Sequence, residues 1–163
     1  HIKHAKKEIL SSLKDITFLV LNEGEAAELV GIPFSREKEV FKKLDKLMPG
    51  IAAVTNGRRG VTVSDGRNIY KARIFREKEI VDYTGAGDAF GSGFTTALME
   101  KSQKSKVKSQ KFNLEDIKYA IRLGSANATS VIEKIGATEG ILNKKDYNSD
   151  ARWKNLEIKI KSL

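Results

Sequence analysis

The stretch Val81-Asp82-Tyr83-Thr84-Gly85-Ala86-Gly87-Asp88-Ala89-Phe90 holds the residues of this chain best suited to chemistry. It ends a strand, turns through glycines and opens a helix with a carboxylate. Gly85 and Gly87 let backbone amides approach a phosphate with no Cβ in the way, and a helix beginning near Asp88 adds its positive end to those unpaired N–H groups. The amides of Gly85, Ala86 and Gly87 then make an anion hole, with Asp88 beside it in the place of a general base. An Asp at a helix start with a Gly before it is also ordinary capping chemistry, so spacing alone leaves both readings open. Beyond Ala89, the residues Phe90, Phe94, Ala97 and Leu98 recur at helical intervals. Gly91 and Gly93 each cost that helix about 1 kcal/mol relative to Ala, and their presence predicts something packed close to the helix start.

Rival phosphate loops fail on inspection. No glycine here is followed by Lys-Ser or Lys-Thr, which removes the P-loop of nucleotide triphosphatases. Gly85, Gly87 and Gly91 are spaced G-x-G-x-x-x-G rather than G-x-G-x-x-G, so a dinucleotide-binding dehydrogenase is a poor second.

Composition limits the remaining chemistry. Both histidines, His1 and His4, stand at the N-terminus and there is no cysteine. A Ser-His-Asp arrangement, a thiol nucleophile or a His/Cys metal site inside the fold is therefore unavailable, and catalysis must rest on carboxylates, Lys, Arg and backbone. The 163 residues, 40% hydrophobic, fit one globular domain over 1–163. No membrane-spanning run or signal peptide is visible, which predicts a soluble, cytoplasmic protein. The formal charge of +9 raises nucleic acid as a partner. Much of the excess sits in Lys101, Lys104, Lys106, Lys108 and Lys111, a polar run without aromatic residues to stack on bases, so it reads as a solvated loop and not a nucleic-acid site.

The elements that must position these groups alternate. Ile16 to Leu21 is an apolar run short enough for a buried parallel strand, and Gly24 to Val30 follows as a helix ending at Gly31. Ser35 is placed to cap a second helix with an apolar stripe at Val40, Phe41, Leu44, Leu47 and Met48, ended by Pro49-Gly50. Ile51 to Thr55 is the next strand, and Gly60 to Ser64 with Asn68 to Phe75 reads as a hairpin across Asp65-Gly66-Arg67. Asn113 caps a helix running towards Ile132, and Trp153, Leu156 and Ile160 supply core contacts from the tail. The pattern predicts an α/β fold, a largely parallel sheet flanked by helices. Ligands then gather at the carboxyl ends of strands, where Asn22 and Glu25, Thr55 to Gly60, and Asp82 to Asp88 converge.

The run Asp82 to Thr95, D-Y-T-G-A-G-D-A-F-G-S-G-F-T, resembles the C-terminal signature of the ribokinase-like (PfkB) carbohydrate and nucleoside kinases. Three further stretches agree in order. Asn22-Glu23-Gly24-Glu25 resembles the family's N-x-x-E, Thr55 to Gly60 its T-x-G-x-x-G nucleotide loop, and Ala126 to Gly136 its small-residue helix and following glycine loop. The resemblance implies ATP-dependent phosphoryl transfer to a hydroxyl of a sugar or nucleoside, with Asp88 as catalytic base. It implies ATP held by Asn22, Thr55, Gly57 and Gly60, with Ser125 or Asn127 near the adenine. Mg2+ would be held through waters by Glu25 together with Asn22. K+ would sit on Asp82, Thr84, Val131, Lys134 and Gly136, although Tyr83 stands where the family has a small residue.

The resemblance covers nearly the whole chain but only the C-terminal half of such a kinase. The N-terminal half, with most substrate contacts and the lid, is not visible. The reading therefore treats the chain as a truncated portion. It leaves room for a homodimer of the longer protein, and keeps a non-catalytic nucleotide-binding module as the alternative for this chain alone.

Overall fold

The computed structural model describes residues 2–104 and 112–163. By the density of their internal packing, the described residues fall into two compact units, one of 1–71 with 159–163 and one of 72–158.

The first unit carries the sheet. Helix α1 (Ile2–Ser12) leads to strand β1 (Phe18–Asn22), helix α2 (Glu23–Val30), helix α3 (Glu37–Leu47) and strand β2 (Ile51–Thr55). Strands β3 (Val61–Ser64), β4 (Asn68–Ala72) and β5 (Ile158–Ser162) complete a sheet of order β1-β2-β3-β4-β5. The α/β class holds, but the sheet is mixed rather than largely parallel. β1 and β2 are parallel because two helices cross between them, whereas β2 and β3 are antiparallel because their short connection allows no crossover.

Register explains the core. Leu19 and Leu21 lie beside Ala52 and Val54, and with them face Leu13, Ala26, Leu29, Val40, Phe41 and Leu44. Each of the larger buried side chains contributes about 1.5–3 kcal/mol. On β3, Thr62 and Ser64 sit beside Val54 and Ala52 on the same face. Their hydroxyls donate to Glu37 Oε1 at 2.7 Å and Asp45 Oδ2 at 2.9 Å, which ties α3 to the sheet at both ends of its apolar stripe. Gly50 is required where β2 starts. A Cβ there would fall 2.3 Å from the Thr17 carbonyl oxygen, and that carbonyl accepts the Ile51 amide at 2.9 Å.

Several expectations need correction. Ser35 does not cap α3, because Pro33 starts a 3-10 turn over Phe34–Arg36 that swallows it, leaving Arg36 at the cap position without a side-chain capping bond. β1 is half-buried, as befits a strand at the end of the sheet order. Ile160 alternates towards solvent at 36% exposure, while Trp153 and Leu156 are buried as expected. The hairpin ends at Ala72, and Phe75 instead packs edge-on to Trp153 at 5.3 Å.

The second unit is built on helices α4 (Ala86–Lys104), α5 (Leu114–Ile132) and the short α6 (Lys144–Ser149). Asn113 caps α5 with a reciprocal box, its Oδ1 accepting from the Asp116 amide at 3.0 Å and Asp116 Oδ2 from the Asn113 amide at 3.1 Å. Phe90, Phe94, Ala97 and Leu98 are all buried. What packs close to the start of α4 is α5. A Cβ on Gly93 would lie 2.9 Å from the Leu123 carbonyl oxygen, and one on Gly124 2.9 Å from the Phe90 carbonyl oxygen, so the two backbones nearly touch. Lys101 belongs to α4 and pairs with Asp116 at 3.5 Å instead of lying in a solvated loop. Lys106, Lys108 and Lys111 fall outside the described residues.

Candidate functional site

In the second unit the signature turn is built on two neighbouring segments. The amides of Val81 and Asp82 both donate to the Ile132 carbonyl, at 2.8 and 3.2 Å, which fixes the approach to the turn against the end of α5. Asp82 Oδ1 accepts from the Thr84 amide at 2.9 Å and the Thr84 hydroxyl at 2.7 Å, and Oδ2 from the Gly136 amide at 3.4 Å. Those bonds, the Thr84 amide first, hold the Asp82 carboxyl below the usual carboxylate range, so it is an anionic oxygen donor at neutral pH. Asp82, Thr84 and Gly136 are thus brought together. Val131 and Lys134 are joined to each other, the Val131 carbonyl accepting the Lys134 amide at 3.0 Å.

Gly85 has φ +82 and no room for a side chain: a Cβ would sit 2.6 Å from that of Ala137. Gly87 is the reverse case, with nothing within 4 Å of its Cβ position. α4 opens at Ala86. The Ala86 amide reaches the Tyr83 carbonyl at 3.4 Å and the Ala89 amide the Gly85 carbonyl at 2.8 Å. Among the described residues no acceptor takes the Gly87 or Asp88 amide, so two N–H groups at the positive helix end stay open beside an exposed face. The Asp88 carboxylate is exposed as well, and among the described residues no hydrogen bond or ion pair engages it. An open pair of amides next to an uncommitted carboxylate suits a phosphate with a base at its side, and the empty Cβ direction of Gly87 suits its approach.

Ser125 and Asn127 are nearly buried on α5, at 6% and 4% exposure. Asn127 already has a structural task, since its Oδ1 accepts the Leu142 amide at 2.9 Å and fastens the segment beyond the glycine loop.

In the first unit, Asn22 and Glu25 form a capping box at the start of α2. Asn22 Oδ1 accepts the Glu25 amide and Glu25 Oε2 accepts the Asn22 amide, each at 2.8 Å. Glu25 is exposed and keeps its other oxygen for an outside partner. Among the described residues no group of three or more Asp, Glu, His or Cys is placed to hold a metal ion. Thr55 closes β2 with its hydroxyl on the Leu21 carbonyl at 3.3 Å. Gly57 and Gly60 take φ +49 and +96, and the Gly60 carbonyl accepts the Asn56 amide at 2.8 Å, which folds Thr55 to Gly60 into a closed loop.

Sequence reasoning missed the residues that hold these loops. Arg59 donates to Asn56 Oδ1 at 2.6 and 2.8 Å and to Glu23 Oε2 at 2.8 Å, joining the loop to the first residue of α2. Ala137, behind Gly85, carries no chemical signal at all.

Residues 2–144 match the profile described as pfkB family carbohydrate kinase. The chain belongs to this family. The pfkB profile spans both units and includes each site residue named above. The ribokinase of Lactococcus lactis subsp. lactis is 31% identical over 156 residues, covering 96% of this chain and 45% of that protein. The ribokinase of Arabidopsis thaliana, in a structure complexed with ribose and ATP, superposes with a TM-score of 0.72 at 24% identity, over 90% of this chain and 43% of that one. The ribokinase of Giardia lamblia gives 0.75 at 23% identity, over 87% of this chain and 46% of that one. The chain thus spans a little under half the length of these pfkB relatives, and the structural likenesses establish the fold.

Proposed function

We propose that this protein transfers a phosphoryl group from ATP to a hydroxyl of a sugar or nucleoside. The observation that carries the reading is the open turn at Gly85, Ala86 and Gly87, where the uncommitted amides of Gly87 and Asp88 stand next to the uncommitted Asp88 carboxylate. Phosphoryl transfer asks little covalent chemistry of a protein. It needs donors aimed at the charge spreading over the transferred group and a base near the attacking hydroxyl. The backbone amides of the turn supply the donors at no reorganisation cost, and Asp88 accepts the proton of the acceptor hydroxyl as it attacks.

Asn22, Thr55, Gly57 and Gly60 are assigned to the nucleotide, with Ser125 and Asn127 on the adenine side. Glu25 would hold Mg2+ through water, and the ion would offset phosphate charge. Asp82, with Thr84, Val131, Lys134 and Gly136, would hold K+, which the anionic state of Asp82 favours. Membership of the pfkB family supports the reaction class, and the ribose and ATP bound to the Arabidopsis relative support a sugar acceptor. A cytoplasmic location goes with the use of ATP. No helix among the described residues is long and apolar enough to cross a membrane.

The test is Asp88→Asn in the full-length protein. Turnover is expected to fall by about a hundredfold or more while Mg-ATP affinity stays within about twofold, as for a lost general base. Unchanged turnover would remove Asp88 from that role.

A further inference from the structure

Arg152 lies beyond the residues that match the pfkB profile, yet it is tied into the rear of the signature turn. Its guanidinium donates from Nη1 to Glu133 Oε2 at 3.0 Å and from Nη2 to Glu133 Oε1 at 2.5 Å. Nη2 also donates to the Arg76 carbonyl at 2.6 Å. The group stands 4.3 Å over the Trp153 ring, which in turn meets Phe75 edge-on. Glu133 Oε1 accepts the Lys78 amide at 2.6 Å as well. Both side chains are largely sequestered, at 17% and 13% exposure. A planar, five-donor fork suits this bridging, and a lysine could not reproduce it.

One cation therefore fastens two backbone segments, 75–78 and the residue that follows α5. Each leads directly into the site. The first continues to Val81 and Asp82, whose amides hang on the Ile132 carbonyl. The second continues to Gly136, whose amide reaches Asp82, and to Ala137, which fills the space behind Gly85.

We propose that Arg152, acting through Glu133, is a positioning residue that holds the signature turn in its phosphate-binding form and so sets nucleotide affinity. The affinity claim rests on the reading of Gly85 to Asp88 as a phosphate seat. Arg152 touches no reacting atom. It keeps the two supporting segments in register, and small misplacement of such a shell is enough to weaken a site.

The experiment compares the full-length protein with Arg152→Met, which keeps an unbranched side chain and removes the bridge, and with Arg152→Lys. Site-resolved hydrogen exchange is expected to speed up at Val81 and Asp82 by about tenfold or more in Arg152→Met, less in Arg152→Lys, with the amides of Phe94 and Ile121 unchanged. The dissociation constant for Mg-ATP is expected to rise by about tenfold or more in Arg152→Met, with partial recovery in Arg152→Lys. Leaving the Glu133 charge unpaired can unfold a protein, so Glu133→Gln/Arg152→Met is the second variant and is expected to show the same loosening. Exchange that is unchanged, or faster at every amide alike, would overturn the clamp. Loosened exchange with wild-type affinity would overturn its role in nucleotide binding. A wild-type protein that binds no Mg-ATP would overturn the phosphate seat and the affinity claim with it, while the exchange result would still decide the clamp.

Discussion

Gly85 and Ala137 are in contact so close that a methyl group on Gly85 would overlap the Ala137 side chain, at 2.6 Å between Cβ atoms. Gly85 also has φ +82, a conformation that side chains rarely adopt. Gly87, in the same turn, has neither constraint. Gly85→Ala is accordingly expected to lower stability by about 2–4 kcal/mol, from backbone strain and overpacking together. Gly87→Ala is expected to leave stability within about 1 kcal/mol of wild type, or to raise it slightly, because Ala is the better helix former. Chemical denaturation of the two variants side by side checks the contrast.

The approach of α4 and α5 sets a second expectation. Ala has the higher helix propensity at an ordinary position, but at Gly93 and Gly124 its Cβ would fall within 2.9 Å of backbone carbonyl oxygens on the facing helix. Neither helix can yield without moving the other. Gly93→Ala and Gly124→Ala are each expected to cost about 1–3 kcal/mol, read as a lower urea midpoint at unchanged slope.

What was legible in the sequence was what lies within a turn or two of chain. Asn113 stands just before the apolar pattern of α5, so cap, helix start and direction follow from spacing, and its reciprocal box with Asp116 forms. Ile51–Thr55 and the span of α5 followed from continuous patterns. The close helix approach was announced by the glycines of α4, although not its partner. Other contacts had no local trace. Arg59 meets Glu23 across 36 positions and Arg152 meets Glu133 across 19, and charged residues are common enough in the sequence that no pair stands out in advance. The expectation of a largely parallel sheet said nothing of how β2 pairs with β3, and their connection, too short to cross over, makes that pair antiparallel and the sheet mixed. In the site, the sharp turn at Gly85 and the helix opening just beyond it could be read from residue types. The backing by Ala137 and Ile132 depends on chain reversal after α5, which no local spacing encodes.

Glu133 gives a pH dependence with a definite sign. Its burial pushes the carboxyl upward, but the hydrogen bonds from Arg152 and the Lys78 amide outweigh this and hold it below the ordinary range. A carboxyl with a depressed folded-state pKa contributes stability above the unfolded value of about 4.3 and loses it as pH falls through the lower folded value. Thermal midpoints of wild type and Glu133→Gln are therefore expected to differ most near neutrality and to converge below that window. A gap that stayed constant down to strong acid would show that the Glu133 charge contributes nothing to the wild-type advantage.

Isothermal titration of Mg-ATP into wild type and Gly87→Val tests the phosphate seat most directly, because a Cβ at Gly87 has nothing within 4 Å beyond its own helix and chain neighbours, so the added bulk obstructs a ligand at the open amides. Saturable binding in the wild type, weakened by about tenfold or more in a Gly87→Val variant that melts like its parent, is the expected result. Equal binding by the two proteins would place the phosphates elsewhere and contradict the account.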